Sequence, residues 1–379
     1  MKNECVELLA GLVSIDSVNP DLVPGARGEG EIGAFVASWL ERRGLEVHVE
    51  DSGRKNRPNV VAVARGTGGG RSIMLNAHMD TVGVAGMESP FQPAIRDGRL
   101  FGRGAMDTKA ALAAFMVALV KAKELPLRGD VILTAVVDEE YASAGTEAVV
   151  KKWKADAAIV GEPTGLQIVT AHKGFVWFEI ETHGVAAHGS RPDIGVDAIA
   201  KMGKVLAAIE EMGARLSRSQ GHDLLGQGSI HASLIQGGQE LSSYPAACRL
   251  GIERRTIPDE GIDDIEKELQ QAVDRIARED HAFKATVRRV FAREPFQARG
   301  DEPIVQLAKR HVESVRKTAP VVAGMSGWMD SALIAAAGIP AVILGPQGMG
   351  LHGETEWVDL DSVHACTAVA LGMAQDFCR

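Results

Sequence analysis

The amino-acid sequence predicts an α/β fold: a mostly parallel, mixed sheet flanked by helices, interrupted by an inserted α+β domain of ferredoxin-like layout with four strands and two helices. Three observations lead there. Short β-branched runs alternate with amphipathic stretches through residues 1–172, the rhythm of a sheet with helical crossovers. Between 173 and 291 the pattern changes to alternating strands and two long helical periods, and from 292 to 379 the first rhythm returns. Because 379 residues exceed what one hydrophobic core usually serves, two domains are expected, one from 1–172 with 292–379 and one from 173–291.

In order along the chain, apolar residues at helical spacing mark helices at 4–14 and 30–43, and strands follow near 45–50, 58–64 and 71–77. A helix at 109–122 contains the longest apolar run, "AALAAFMVALV". "DVILTAVVDEE" is a β-branched strand ending in three acids, and a helix at 144–152 leads into the strand "AAIVGEP". In the inserted segment "FVWFEIETHG" alternates, "PDIGVDAIAKMGKVLAAIEEM" has the helical period, and "GSIHASLIQGG" and "ACRLGIERRT" read as strands. A helix at 261–278 and a strand at 282–290 complete it, and a helix at 302–315, the strand "PAVILG" and a helix at 361–376 close the chain.

Composition narrows the class. Hydrophobic residues make up 45% and charged residues 24%, which excludes a largely disordered chain, and with aromatics at 4% the core is aliphatic. A formal net charge of -9 argues against nucleic acid or an anionic membrane as partner. Cys5, Cys248, Cys366 and Cys378 are scattered without a C-x-x-C pair, so neither a disulfide framework nor a thiolate zinc site is expected, and a reducing cytoplasm fits. "MKNECVELLAGLVSID" lacks the basic start and small-residue cleavage site of a signal peptide. The apolar run at 110–120 falls short of the roughly 20 residues that cross a bilayer, so a soluble protein is expected.

In a parallel α/β sheet, ligands gather outside the carboxyl ends of the strands. "LNAHMDTVG" ends a strand with His78 and Asp80 two positions apart, hence on one face; a core histidine satisfied by an acid would read the same way. "GRGAMDTK" places Asp107 in a glycine-rich turn before a helix, where an N-cap is the plain alternative. Glu139 and Glu140 end another strand, Glu162 precedes Pro163, and His352 lies in a late loop; singly they fit a solvated strand end, a turn and a surface histidine. Together at one sheet edge, these carboxylates would repel one another without a cation. Two imidazoles among carboxylates favour zinc or a similar transition ion over calcium or magnesium. Two ions roughly 3.5–4 Å apart need a bridging carboxylate and leave another free as proton acceptor.

"HMDTV", "GRGAMDTKAALAA", "DEE" after a strand, "GEPT" and "HGETEWV", in this order, resemble the co-catalytic dinuclear zinc deacylase and carboxypeptidase family. That family includes acetylornithine deacetylase, succinyl-diaminopimelate desuccinylase, aminoacylase and glutamate carboxypeptidase, and the resemblance spans nearly the whole chain. It implies two Zn2+ per subunit, with Co2+ able to substitute: Asp107 bridges, His78 and Glu162 complete one site, and Glu140 and His352 the other. Spacing alone does not separate Glu139 from Glu140; the resemblance makes Glu139 the general base. Asp80 then orients His78 by accepting its other ring N–H. "HGVAAHGSRPDIGVDAI" resembles the stretch whose histidine reaches a partner subunit, so His188 polarises the scissile carbonyl and the inserted domain serves as lid and homodimer contact; a capping role beside Ser190 and Pro192 is the alternative. "ERRTIP" resembles the segment with a substrate-carboxylate arginine, Arg255, with Arg254 competing.

The expected function is removal of the acyl group from an N-acyl amino acid, most similar to acetylornithine deacetylase because of "AHKG" at 171–174. A dinuclear zinc dipeptidase or carboxypeptidase and a succinyl-diaminopimelate desuccinylase are the alternatives. One departure bears on substrate: Gly327-Trp328-Met329-Asp330-Ser331 stands where many relatives carry Gly-Gly-Thr-Asp-Ala, so a thioether replaces a hydroxyl, and Trp328 either narrows a pocket or packs as core. A purely structural protein of this fold is disfavoured by the complete ligand set. A serine hydrolase is disfavoured because "GMSGW" lacks the last glycine of G-x-S-x-G, and "GTGGGR" is followed by a strand, against a nucleotide loop. The inserted domain is expected to close on substrate through hinges near 172–174 and 290–294.

Overall fold

The computed structural model describes residues 2–84 and 86–379. The chain forms two compact units. The first comprises the described residues up to Thr170 with Ala298–Ala323 and Met329–Arg379; the second comprises Ala171–Gln297 with Gly324–Trp328.

The sheet of the first unit runs Glu46–Glu50, Asn59–Ala64, Val131–Val136, Ile73–His78, Ala157–Val160, Ala341–Ile343 and Ile168–His172 in spatial order. Its four central strands, from Val131–Val136 to Ala341–Ile343, are parallel, and those on either side pair antiparallel. The mixed sheet with parallel order at its centre agrees with the expected class. All residues of the central strands are buried, which is why they read as near-continuous apolar runs rather than as alternations.

The helix Lys109–Ala122 packs on Ile73–His78 and Val131–Val136 and is itself contacted by Lys2–Val13 and Leu360–Phe377. Apolar on nearly every side, it is a core helix, and its alanines let it lie close to the sheet. A Cβ added at Gly161 would come within 2.7 Å of Phe115 and 2.8 Å of Ala111. No described helix is long and apolar enough to cross a membrane.

A further small sheet escaped the sequence reading. Gly348–Met349, Trp357–Asp359, Arg99–Phe101 and Ala94–Arg96 pair antiparallel in that order. Strands of two or three residues carry no detectable period. The sheet brings the chain just after Phe101, which leads to Asp107, beside the chain around Glu356, which follows His352.

The second unit has β-α-β-β-α-β order, with all-antiparallel strands Ser229–Gly237, Ala247–Thr256, Gly174–His183 and Ala285–Arg293 side by side. Ala198–Leu216 and Ile262–Glu279 supply Met202, Val205, Leu269 and Val273 to a core with Val176, Phe178, Ile180, Leu250 and Ile252. This is the ferredoxin-like layout expected. The first helix starts later than the pattern from Pro192 suggested. Val196 forms a two-way backbone bridge with Val185, holding that stretch extended, and the Asp197 side chain then caps the helix by accepting from Ala200 N at 3.0 Å.

Candidate metal centre

Parallel strand order explains why distant segments meet. Ile73–His78 ends in His78, Val131–Val136 leads to Glu139 and Glu140, and Ala157–Val160 leads to Glu162, all at one sheet edge. Asp107 arrives from the loop after Arg99–Phe101 and His352 from the loop after Gly348–Met349. His78 Nε2 lies 3.1 Å from Asp107 Oδ1, and His352 Nε2 lies 3.3 Å from Asp107 Oδ2 and 3.3 Å from Glu140 Oε2. Glu139 Oε2 stands 4.0 Å from His78 Nε2. Asp107 does not cap the following helix: Thr108 occupies the N-cap position and no side chain bonds there.

The electrostatics are those of crowded acids. Burial, then the charge of Glu162, pushes Glu139 well above the usual carboxylate range, and burial, then Asp107, pushes Glu140 up to about 7. Glu162 is likewise raised by burial, with the charges of Asp107, Asp330 and Glu140 adding to it. Burial opposes ionisation of Asp107 too, but its bonds with His352 and His78 outweigh that and hold it low. His352 is raised to about 10 by Asp107 and Glu140. Burial disfavours the charged ring of His78, yet Asp107 and Asp80 hold its pKa well above the ordinary value.

These residues fit a divalent cation. Ligand-type atoms of His78, Asp107 and Glu140 lie within 4.8 Å of one another. Glu140 Oε1 is buried with no hydrogen-bond partner among the described residues, an uncompensated acceptor that a cation satisfies. Nitrogen and carboxylate donors together suit a transition ion better than calcium or magnesium.

Asp80 meets His78 through both its main chain and its side chain. The nearest partner of His78 Nδ1 is the main-chain oxygen of Asp80 at 3.0 Å, while the carboxylate oxygen Oδ1 is 3.5 Å away. That carboxylate also accepts from the backbone N–H of Glu139 at 3.1 Å and Glu140 at 3.2 Å, and from Asn19 Nδ2 at 2.8 Å. Position 80 therefore meets the imidazole with its main-chain oxygen and its carboxylate, and the same carboxylate fixes the acidic turn. Asn19 also donates to Asp138, whose carboxylate receives Arg57 at 2.9 Å and Arg54 at 3.0 Å, and Glu29 accepts from both Arg57 and Asp138 N. The sequence reading missed this buried network because its members are far apart in the chain; a signal was available only in the polar residues "SVNP" and "GRKNRPN" flanking apolar runs.

Two further groups were missed. Asp330 accepts from Thr146 Oγ1 at 2.6 Å and is raised to about 6 by burial. Lys109 is fully buried, donates to Ile15 O at 2.8 Å, and is pulled down to about 7 by burial.

In the second unit, His188 Nδ1 lies 2.8 Å from Ser190 Oγ and accepts from Ser190 N at 3.2 Å, the local capping arrangement, with the side chain exposed. Arg254 is buried and bonded to Glu260 and to the main-chain oxygen of Arg255. Arg255 is more open, pairs with Glu253 at 2.6 Å, and lies over Phe175. Trp328 packs edge-on to His172 and Phe175 and donates from its indole to Glu294 O at 3.0 Å, so within this unit it is a packing residue; Met329, in the first unit, is buried.

The sequence profile of Peptidase family M20/M25/M40 matches residues 74–376. The chain is 30% identical over 388 residues to acetylornithine deacetylase of Myxococcus xanthus, covering 98% of this chain and 96% of that one. It is 28% identical over 413 residues to N-formyl-4-amino-5-aminomethyl-2-methylpyrimidine deformylase of Bacillus subtilis (strain 168), covering 100% and 95%. Its fold matches the crystal structure of a dinuclear metal binding peptidase of the M20 family from Bacillus subtilis with a TM-score of 0.78, at 16% identity and 100% and 98% coverage. These findings define a metal-dependent hydrolase acting on amide bonds. The chain belongs to peptidase family M20/M25/M40.

Proposed function

We propose that the protein removes the acyl group of an N-acyl amino acid, in the manner of acetylornithine deacetylase. The supporting observation is the full-length similarity to the Myxococcus xanthus deacetylase. The similarity to a deformylase, another enzyme that cleaves a small acyl group from an amine, supports amide deacylation more broadly. A dipeptidase, carboxypeptidase or desuccinylase built on the same centre is the second reading, supported by the fold shared with an M20 peptidase.

In this reading Asp107 would be shared between two ions, His78 and Glu162 would hold one, and Glu140 and His352 would hold the other. The two oxygens of Asp107 facing the two different imidazoles support the bridging role. Zinc is the metal that suits this donor set, with cobalt as substitute. When bound, the ions supply Lewis acidity at the scissile carbonyl and ease ionisation of a water. Glu139, close to His78 but outside the compact ligand group, takes the proton of the attacking water and hands it to the leaving amine. His188 donates to the developing oxyanion from the partner subunit of a homodimer, and Arg255 pairs with the substrate carboxylate. The exposed edge strand Ser229–Gly237, with Leu234 and Ile235 open to solvent, supports contact between copies through the inserted unit. Four buried, unpaired cysteines suit a reducing cytoplasm.

The test is a substrate panel run on chelated and on Zn2+- or Co2+-restored protein: N-acetylornithine, N-succinyl-diaminopimelate, other N-acyl amino acids and simple dipeptides. Acetylated amino acids should turn over fastest, and only in restored protein. Faster cleavage of dipeptides moves the assignment to a peptidase, and full activity after complete metal removal removes the mechanism.

A further inference from the structure

We propose that Arg103 and Glu356 are positioning residues that lock three ligand-bearing loops together and thereby set how tightly the centre binds its ions. The inference rests on the metal reading above and adds residues that touch none of the candidate ligand atoms. Both side chains are buried, Arg103 at 2% and Glu356 at 1% exposure. Neither belongs to the ligand set, although "GRGAMD" and "HGETEW" contain them.

Both oxygens of the Glu356 carboxylate are fully used. Oε2 accepts from Arg103 Nη1 at 2.7 Å and Gly104 N at 3.0 Å; Oε1 accepts from Met106 N at 2.8 Å and Asp107 N at 3.1 Å. One carboxylate thus gathers the backbone of the turn that ends in Asp107. Arg103 spreads its remaining donors over two other loops, giving Nε to Gly83 O at 3.1 Å and Nη2 to Gly353 O at 3.0 Å. Gly83 lies shortly after His78 and Asp80, and Gly353 is the neighbour of His352. The main chain adds a bond from Gly102 N to Glu356 O at 3.1 Å. The small sheet delivers both residues to this point, since Arg103 follows Arg99–Phe101 and Glu356 precedes Trp357–Asp359, and these strands pair.

The physical case lies in what such a pair does well. A buried ion pair adds little net stability compared with apolar side chains of similar size, because desolvation offsets the attraction. Its charge-assisted bonds do impose direction, and a guanidinium fans its donors in one plane. Direction is what this centre requires. The two oxygens of Asp107 must face His78 on one side and His352 on the other, at 3.1 Å and 3.3 Å, so a small rotation of the turn spoils both contacts. Partners of ligating residues typically alter metal affinity or activity by about 10- to 100-fold when removed.

The experiment titrates metal-free wild type, Glu356→Gln and the double variant Arg103→Met/Glu356→Leu with Co2+ and then Zn2+ against a competing chelator, well below the unfolding temperature of each. Glu356→Gln puts an amide NH2 among groups that are all donors. Affinity should fall about 10- to 100-fold and the visible absorption of bound Co2+ should change. The double variant removes the charges together, which folded proteins often tolerate, and should lose the same affinity while keeping its secondary structure. A merely structural pair would lower the unfolding temperature of metal-free protein without moving affinity or spectrum, and that result in either folded variant overturns the proposal. Wild type that binds no ions would instead overturn the metal reading itself.

Discussion

At the residue scale, the proposed chemistry turns on the contrast between Glu139 and Glu140. They are adjacent, with side chains 10% and 6% exposed, and Asp80 holds the backbone N–H of each; Glu140 joins His78 and Asp107 in a compact group, while Glu139 Oε2 stands 4.0 Å from His78 Nε2. With Glu139 as the general base of the proposed reaction, Glu139→Ala is expected to lower kcat by about 100- to 10,000-fold, the range for losing such a group. Metal content, measured by elemental analysis, should remain that of wild type; loss of metal alongside turnover would make Glu139 a ligand. A second residue-scale prediction concerns pH. Glu46, on the outermost strand, is held down to about 2 by its bonds to Arg65 and then His48. Its folded pKa lies below the ordinary 4.5, so its stabilisation is fully present above about pH 4.5 and is lost as pH falls towards 2. Because both partners are solvent-exposed, the effect is below about 1 kcal/mol and fades with salt. In denaturant unfolding at low salt, wild type should exceed Glu46→Gln in stability at pH 6, and the gap should narrow steadily below pH 4.5 and close only as pH approaches 2.

At the element scale, the buried helix Lys109–Ala122 and the strand ends beside it form the platform of the site. Gly161, one residue before Glu162, touches that helix so closely that an added methyl group would meet Phe115 and Ala111 below 3 Å. Gly161→Ala should cost about 1–3 kcal/mol by overpacking, read as a lower denaturant midpoint at unchanged slope. Elements of this size were legible in the sequence wherever they were long or strongly patterned: the apolar run of the helix at 109–122 and the alternation of Gly174–His183 announced themselves. The late start of Ala198–Leu216 was not legible, because the Val185–Val196 bridge that overrides the helical period pairs residues well beyond one helical turn. The small sheet was hidden by the brevity of its strands, although it carries the segments that lead to Asp107 and His352.

At the scale of the whole molecule, catalysis in the proposed form requires two copies, since His188 acts on the partner's site. Mixing His188→Ala protein with Glu139→Ala protein should restore part of the turnover that each lacks, as hybrid dimers would contain one intact site. Absence of recovery, with subunit exchange shown by labelled chains, would place each site within a single copy.

What the sequence determined by itself was the kind of chemistry and the kind of fold. Strand and helix periods are local, and so are "LNAHMD", "GRGAMD" and "DEE", so the α/β class with its inserted unit and the acids and histidines at strand ends could be read directly. Only the tertiary structure decided how those groups divide their work: that Asp107 faces two imidazoles instead of capping a helix, that the Asp80 carboxylate grips the backbone of Glu139 and Glu140, and that Arg103 and Glu356 join three loops. The physical reason is that hydrogen-bond direction and burial arise from contacts between segments such as Arg103 and Glu356, 253 residues apart, and no local pattern encodes which of several nearby donors an oxygen will meet.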